Sequence, residues 1–405
     1  MQSTTSTTEQ TPFTLEALLS WLRRQREQGS IHHEQQHIWQ VFGYAEVERI
    51  LSDPRAFSSD FSAIMPAQRD FDLFARGNFV RMDPPRHRKL RGLISQAFTP
   101  RMIHGLAHRI AELTVELLDK LGGADRFDLV DGLAHPLPVI VIAELLGIPV
   151  ADRTIFRHWA DTLFSQNEQT SEIKLDEATL KALFDAVAPT MREMNGYLLA
   201  HIQDRRARPA NDLMTELVNA EVDGERLDDQ EIVGFVGLLL IAGHITTTAL
   251  LGNAIITLDE HPDTAAELRA DPARLPAAIE EVLRCRPPFP RLARRAATDV
   301  DLDGHTIGAN QVIVLWVASA NRDGAQFPDP DRFDIHRTPN PHLAFGHGIH
   351  FCLGAPLARL ESKIALGILL ERYRRIAVGG DEPAEFHNPW TMISAKRLPV
   401  VVQAA

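Results

Sequence analysis

The chain has 405 residues, 44% of them hydrophobic, which is enough to bury a large core. The formal net charge of −12 at pH 7 argues against general nucleic-acid binding. The two cysteines, Cys285 and Cys352, have no zinc or redox spacing, which suits a reducing cytoplasm. Because the longest apolar run, residues 232–243, is too short to span a bilayer, we expect a soluble, cytoplasmic protein with no membrane partner.

The N-terminal third alternates between leader, helix and strand signals. Residues 1–12 are rich in Ser, Thr and Gln and predict a disordered leader. Residues 14–28 have a helical period, and residues 31–32 and 37–42 alternate like two strands. A short amphipathic helix at 44–51 and an irregular segment at 57–78 follow.

A double proline precedes a basic helix. Pro84 and Pro85 cannot sit inside a helix but can open one, and the run from Arg86 onward is helical. His87 and Arg91 therefore lie one turn apart on one face. Taken alone, this pattern is more typical of a solvated basic helix face than of a binding site.

Residues 101–206 have an almost wholly helical pattern, interrupted by glycine and proline breaks. One interruption is polar and covers residues 165–176, directly after Phe164. It is the best candidate in the chain for a mobile lid over a pocket.

A helix of about thirty residues opens at a capping-box sequence, residues 228–231, and ends before Pro262. Its first half is apolar on all sides, which predicts a central, buried position. Within it, residues 242–248 combine glycine with three threonines, which are poor helix formers. Such a segment either allows close packing or opens the backbone locally to make a groove, and the residues alone leave both readings open.

The remaining elements lead to a cysteine loop. Glu281 and Arg284 form a Glu-x-x-Arg pair, a weak motif that occurs three times and usually marks an exposed ion pair. Strand patterns at 291–297, 300–302 and 312–318 follow, then a helix over 357–373 and C-terminal strands over 391–402.

The loop at residues 345–354 places one thiol, Cys352, between glycines at the expected start of a helix. Free backbone N–H groups at a helix start stabilise a thiolate, Gly348 and Gly354 allow close approach to a bulky group, and Phe345 adds an aromatic face. A lone cysteine is more often a small buried hydrophobe. Here the pattern F-x-x-G-x-H-x-C-x-G constrains several positions at once, which favours haem iron bound by a thiolate.

This pattern resembles the signature of the cytochrome P450 family, of the soluble bacterial type. The resemblance covers about residues 38–402 and implies a mainly α fold with a smaller β portion. It implies one catalytic domain over residues 13–405, with haem b buried between the long helix and the cysteine loop. Cys352 would bind the iron, and the expected haem contacts are His87, Arg91, Arg294, His350, Phe345, Gly346 and Gly354.

The resemblance also assigns the long helix and the Glu-x-x-Arg pair. The segment matches the family's oxygen-binding kink, in which the helix backbone opens locally, with Thr246 in the position of the proton-relaying threonine and with Ala242, Gly243 and Thr247 beside it. The family usually has an acid directly before that threonine, whereas Ile245 stands here, which leaves the proton route open to Thr246, Thr247, His244, water or the substrate. A buried structural ion triad would comprise Glu281, Arg284 and Arg332.

The implied function is monooxygenation of an apolar small molecule by O2, with fatty acids, terpenoids and macrolide-like polyketides as candidate substrates. Electrons would come from a ferredoxin or flavodoxin with its NAD(P)H reductase, docking in part on basic residues of the segment 81–91. We expect a monomer. The expected substrate-pocket residues are Phe79, Phe164, Val236, Leu292, Trp390, Met392 and Ile393.

Two other functions remain compatible with the cysteine loop. A peroxide-driven haem-thiolate peroxygenase would keep Cys352 and need no redox partner, and Ile245 favours it. A non-catalytic haem- or ligand-binding protein would also keep the loop, but would have no use for Thr246. Turnover with a ferredoxin system or with peroxide alone separates these functions.

Overall fold

A computed structural model describes residues 14–34, 38–64, 72–152, 154–156, 158–159, 162, 177–380 and 382–405. Helix accounts for 56% of the structure and strands for a smaller share, as a mainly α fold requires. In chain order, α1 to α14 are Leu15–Gln28, Tyr44–Ser52, Asp72–Gly77, Arg86–Ala97, Pro100–Gly105, Ala107–Asp119, Pro136–Leu145, Glu177–Ala207, Leu213–Asn219, Asp229–Glu260, Pro262–Ala270, Leu275–Cys285, Val317–Ala320 and Ala355–Arg372.

The strands form small sheets. In chain order, β1 to β14 are Ile31–Glu34, Ile38–Val41, Phe57–Ser58, Arg126–Asp128, Glu221–Val222, Glu225–Arg226, Leu292–Ala296, Val300–Leu302, His305–Ile307, Val312–Leu315, Tyr373–Val378, Glu385–Phe386, Ala395–Arg397 and Pro399–Ala404. The largest sheet has the order β1-β2-β10-β7-β3, in which β10 pairs parallel with β2 and antiparallel with β7. A second sheet, β11-β14-β4, holds the C-terminus.

The long helix α10 lies at the centre of the fold. Asp228 accepts from the Glu231 amide and Glu231 accepts from the Asp228 amide, so the predicted capping box is confirmed. The helix packs against α3, α7, α8 and α14. It is long and apolar enough to cross a membrane, yet 72% of its most apolar window is buried, as in the core helix of a soluble protein.

The segments expected to be irregular or wholly helical hold additional elements. Residues 57–78 contain strand β3 and helix α3, because Phe57–Ser58 pairs with the edge of β7 and α3 packs on α10. Within 101–206, strand β4 pairs with β14, and a π-helical turn at Val130–Ala134 precedes α7. The predicted leader, the predicted lid at 165–176 and Phe164 lie outside the described residues.

Candidate functional site: the cysteine loop and its cavity

The cysteine loop is a tight turn that precedes α14. The Cys352 amide donates to the Phe345 carbonyl oxygen at 2.9 Å, and the Gly346 amide donates to Leu343 at 2.9 Å. Gly346 and Gly348 have φ of +70° and +67°, which L side chains rarely adopt. A Cβ atom on Gly348 would also lie 2.5 Å from the Leu51 carbonyl oxygen, so this glycine is required for close packing on α2.

The Cys352 side chain faces an internal cavity, and opposing effects act on its sulfur. Burial raises the pKa of the Cys352 thiol, while hydrogen bonds from the Gly354 and Ala355 amides and the charges of Arg91 and Arg359 lower it. Burial is the stronger influence, so the pKa of Cys352 lies above its ordinary value. A thiolate at this position therefore needs a cation on the side of the sulfur that faces the cavity, and a bound metal ion would supply that charge.

Four basic side chains converge beside the loop. The His87 and His350 rings lie 4.3 Å apart, and both nitrogens of His350 and Nε2 of His87 are buried without a hydrogen-bond partner among the described residues. Arg294 is only 9% exposed. Burial, with help from Arg294, His87 and Arg91, lowers the pKa of His350 to about 3, and burial lowers that of Arg294 to about 10. Unpartnered donors at this density fit buried anionic groups.

Arg91 has a second use. Its Nη1 and Nη2 atoms donate to the carbonyl oxygens of Ile349 and Phe351 at 2.7 and 2.6 Å. The guanidinium therefore supports the cysteine loop directly, in addition to contributing positive charge beside His87.

The central helix forms the opposite wall of the cavity. Ala242, Gly243, Thr246 and Thr247 all line it. Thr246 Oγ1 donates to the Ala242 carbonyl at 2.9 Å and Thr247 Oγ1 to that of Gly243 at 3.2 Å. Because α10 is a continuous helix through this segment, the space here comes from small side chains rather than from the expected opening of the backbone.

The cavity has a volume of about 260 Å³, and its wall away from the basic cluster is apolar. Of the expected pocket residues, Phe79 and Leu292 line it. Several other lining residues were not predicted, although those on α10 follow the three- and four-residue spacing of one helix face. Other residues of the apolar wall include Val80, Phe235, Leu238, Leu239, Pro288, Phe289 and Val317.

Four expected pocket residues lie elsewhere. Val236 points away because it sits one position beyond the cavity-facing Phe235 on α10 and is fully buried in the main core. Met392 packs against Ile245, and Ile393 and Trp390 belong to a hydrophobic cluster with α1. That loop therefore packs on α1 and on the Ile245 side of α10 rather than on the cavity.

A sequence model described as "Cytochrome P450" matches residues 19–404 of the chain. The chain belongs to the cytochrome P450 family. It is 44% identical over 375 residues to the cyclomarin C epoxidase of Salinispora arenicola, covering 92% of each protein. It is also 44% identical over 390 residues to the erythromycin C-12 hydroxylase of Saccharopolyspora erythraea, covering 95% of this chain and 94% of the relative.

Solved P450 structures agree with this fold. The open form of the cytochrome P450 Eryk from S. erythraea superposes with a TM-score of 0.87 at 42% identity, covering 96% of this chain and 97% of the other. The predicted family and fold class are therefore confirmed, and the chain is a P450 monooxygenase of the soluble bacterial type.

The site of this P450 fits the haem-thiolate cofactor that the family implies. Cys352 presents its sulfur to the cavity, where it would bind the iron, and His87, Arg294 and His350 are the buried donors that would hold the two haem carboxylates. Phe345 and Gly346 line the same space. Gly354 also lines it, although a Cβ atom there would meet Cys352 Sγ only at an ordinary 3.9 Å.

The P450 lacks an acid beside its helix threonine. Ile245 is 8% exposed and packs with Ala249 and Met392, away from the cavity. The neighbouring His244 is buried, with Nδ1 2.6 Å from the Leu240 carbonyl oxygen. Neither side chain lines the cavity, so among the described residues Thr246 and Thr247 are the hydroxyl groups on this wall.

The buried ion network behind the loop differs from the expected triad. Arg284 and Glu281 form a bidentate pair at 2.8 Å, with side chains 0% and 1% exposed. The second arginine on Glu281 is Arg337, at 3.2 Å, and not Arg332. Arg332 turns its side chain to the surface and contributes only its carbonyl oxygen, which accepts from Arg284 at 2.9 Å.

Proposed function

We propose that this P450 hydroxylates or epoxidises a large, neutral, apolar molecule of secondary metabolism, with macrolide-like polyketides ahead of terpenoids and fatty acids. The cavity wall away from the cysteine loop is apolar, and among the described residues no acidic or basic side chain lines the cavity outside that loop and the basic cluster beside it. Relatives named for erythromycin and cyclomarin C support the first class.

The observation that carries the proposal is the position of Cys352 in the cavity. Its sulfur faces the same space as the unpartnered imidazole of His350 on one side and the apolar wall on the other. Haem b held by a cysteine thiolate supplies the activation of O2 for insertion of one oxygen atom into a C–H or C=C bond. The chain itself supplies the ligand, the carboxylate contacts and the shape of the pocket.

We assign proton delivery to Thr246 and Thr247. Both hydroxyls are anchored to carbonyl oxygens one turn earlier and still have acceptor lone pairs at the cavity wall. With Ile245 in an apolar cluster, the proton reaches them through water or a substrate hydroxyl rather than through an adjacent acid.

The first test is the absorption spectrum of the reduced, carbon-monoxide-bound protein. We expect a red-shifted thiolate-type Soret band in the wild type that is lost in Cys352→Ala and kept in Cys285→Ala, because Cys285 is the chain's other, buried cysteine. A folded wild type without this band would overturn the proposed ligation. Titration with a macrolactone, a terpenoid and a fatty acid, followed by the spin-state shift, then ranks the substrate classes.

We propose a ferredoxin or flavodoxin with its NAD(P)H reductase as the electron source, as is general for bacterial members of the family. Within the basic segment 81–91, Lys89 pairs with Glu225 and Arg91 binds the cysteine loop. Arg86 and Arg88 remain exposed and can face an acidic partner. Arg88→Glu should slow reduction by ferredoxin and leave reduction by dithionite unchanged; equal ferredoxin rates would contradict the docking site.

Peroxide-driven turnover is a second candidate, favoured by the burial of Ile245 in place of an acid. A peroxygenase receives both oxygen and electrons from peroxide, so it depends less on proton delivery through the helix. Product formation with hydrogen peroxide alone, at rates equal to those with a ferredoxin system, would support it. Product formation only with the ferredoxin system would exclude it.

We also propose a cytoplasmic, monomeric enzyme. The soluble bacterial relatives and the burial of α10 support the location. Cell fractionation tests the location, and sedimentation equilibrium of the purified holoenzyme tests the monomer.

A further inference from the structure

Arg359 lies against the aromatic ring of the cysteine loop. Its guanidinium carbon is 4.6 Å from the centroid of the Phe345 ring, within the range of an attractive cation–π contact. The Phe345 carbonyl oxygen accepts the Cys352 amide at 2.9 Å, so ring and sulfur belong to the same rigid turn. A cation at this ring is therefore held at a set position relative to the sulfur.

Glu280 holds the guanidinium by two hydrogen bonds. Arg359 Nε donates to Glu280 Oε1 and Nη2 donates to Oε2, each at 2.7 Å, which is the bidentate geometry of a strong arginine–carboxylate pair. Burial raises the pKa of Glu280, but the hydrogen bonds from Arg359 and His342 outweigh it and bring the pKa down to about 2. The carboxylate is therefore charged at neutral pH.

His342 fixes the carboxylate from the other side. Its Nδ1 accepts the Ala344 amide at 3.2 Å, which leaves the proton on Nε2. Nε2 then donates to Glu280 Oε2 at 3.1 Å, and the imidazole is only 3% exposed. Because its donors are fixed, the carboxylate cannot rotate away, and the rotamer of Arg359 is fixed in turn.

The charge of Arg359 acts electrostatically on the Cys352 sulfur. The guanidinium and the Cys352 sulfur are close enough for their charges to interact, and the hydrogen bonds to Glu280, with a smaller contribution from the sulfur, raise the pKa of Arg359. Arg359 is 38% exposed, and an ordinary surface ion pair would form the same two hydrogen bonds with Glu280. The contact with the Phe345 ring and the buried histidine behind Glu280 are what a surface pair lacks.

We propose that Glu280 and His342 are positioning residues that hold Arg359 against Phe345, and that this cation raises the reduction potential of haem bound through Cys352. The inference rests on the proposed ligation of haem by Cys352. A fixed positive charge withdraws electron density from the thiolate and favours the reduced state, which carries one more negative charge. The network therefore determines how readily the enzyme accepts its first electron.

The test is the midpoint potential of the holoenzyme, measured with small-molecule mediators so that partner docking has no influence. Arg359→Gln should make reduction about tenfold less favourable, which is about 59 mV for one electron. Arg359→Lys should fall between the wild type and Arg359→Gln, because it keeps the charge and loses the bidentate fork.

Arg372→Gln is the matched control. Arg372 lies on the same helix, pairs with Asp119 at 2.6 Å, contacts the Tyr373 ring and is 32% exposed, but it ends α14 far from the loop. Its potential should equal that of the wild type. Identical potentials for Arg359→Gln and Arg372→Gln would overturn the inference, and if Arg359→Gln does not fold, identical potentials for Arg359→Lys and the wild type would do so.

A second experiment tests whether Glu280 acts through Arg359. Glu280→Gln should shift the potential by a different amount in the wild-type background than in the Arg359→Gln background, where only the loss of the Glu280 charge itself acts. A shift of equal size in both backgrounds would contradict the positioning role. A thiolate-type carbon-monoxide band in each variant confirms intact ligation, whereas its absence from the wild type would overturn the proposed function itself.

Discussion

Gly77 and Gly234 bring the backbones of α3 and α10 into direct contact. A Cβ atom on Gly77 would overlap the Glu231 carbonyl oxygen and the Phe235 amide, and one on Gly234 would overlap the Gly77 amide. Main-chain atoms cannot move aside as the end of a flexible side chain does. The contact also determines where the chain leaves α3, and hence where Phe79 meets the cavity.

Replacing Gly234 by alanine should therefore destabilise the protein despite the better helix propensity of alanine. We expect a loss of about 1–3 kcal/mol, as for other overpacked sites. Gly196→Ala is the control, because no atom of the described residues lies within 4 Å of a Cβ atom at this exposed position of α8. That variant should gain about 0.5–1 kcal/mol. Urea unfolding followed by circular dichroism measures both, and equal stabilities would refute the backbone contact.

Removing the charge of Glu281 should be far more costly than removing that of Arg332. Glu281→Gln leaves the fully buried Arg284 without its anionic partner, which costs about 3–5 kcal/mol. Arg332→Gln should change the stability by less than about 0.5 kcal/mol, because only the Arg332 carbonyl takes part in the network. Thermal unfolding of both variants checks the order, and a larger effect at Arg332 would restore the triad predicted from sequence.

Glu361 should make the stability depend on pH. Complete burial raises the pKa of its carboxyl to about 8, so the folded protein holds a proton that the unfolded chain releases near pH 4.5. The contribution of Glu361 to the free energy of unfolding is then fully present below about pH 4.5 and is lost as the pH rises towards 8. Glu361→Gln should remove this dependence and be more stable than the wild type at pH 8, by up to about 5 kcal/mol. Unfolding at pH 5, 6.5 and 8 measures the difference; parallel pH profiles would contradict it.

Arg294 should oppose stability in the haem-free protein and support haem retention. Burial of its guanidinium lowers its pKa to about 10, and the charge of Asp83 offsets this effect only in part. Arg294→Met should therefore stabilise the apoprotein and speed haem loss, because a haem carboxylate loses a charged donor. Urea unfolding of the apoprotein and haem transfer to apomyoglobin check the two signs. Slower haem loss in the variant would remove Arg294 from the haem site.

Thr246→Ala should uncouple oxygen consumption from product formation. We expect product formation to fall at least tenfold and peroxide release to rise, because a positioned proton donor is lost. Thr248→Ala is the control, since its hydroxyl donates to the Ala134 carbonyl at 3.0 Å and does not line the cavity. The control should lose about 1 kcal/mol of stability and keep its coupling. Oxygen, peroxide and product measured together give the ratio, and equal coupling in both variants would leave Thr246 without this role.

Local sequence patterns predicted the parts of the site that short segments determine. The capping box at Asp228, the helix after Pro85 and the loop that carries Cys352 depend on neighbours within a few residues, so the sequence places them directly. The pattern around Cys352 also predicted the family, which the match over residues 19–404 confirms. The identity of the thiol and of the basic residues near it required no knowledge of the packing.

Contacts between distant segments were decided only by the tertiary structure. Arg332 and Arg337 are equally plausible partners for Glu281 in sequence, and the path of the chain after Arg332 turns only Arg337 inward. Trp390 was expected at the cavity but packs on α1, because the C-terminal loop folds towards the N-terminus. The hydrogen bonds that join His342 and Arg359 to Glu280 connect residues about 60 to 80 positions apart. Such pairs form because the whole core fixes where each backbone runs, and no local period of the sequence encodes that.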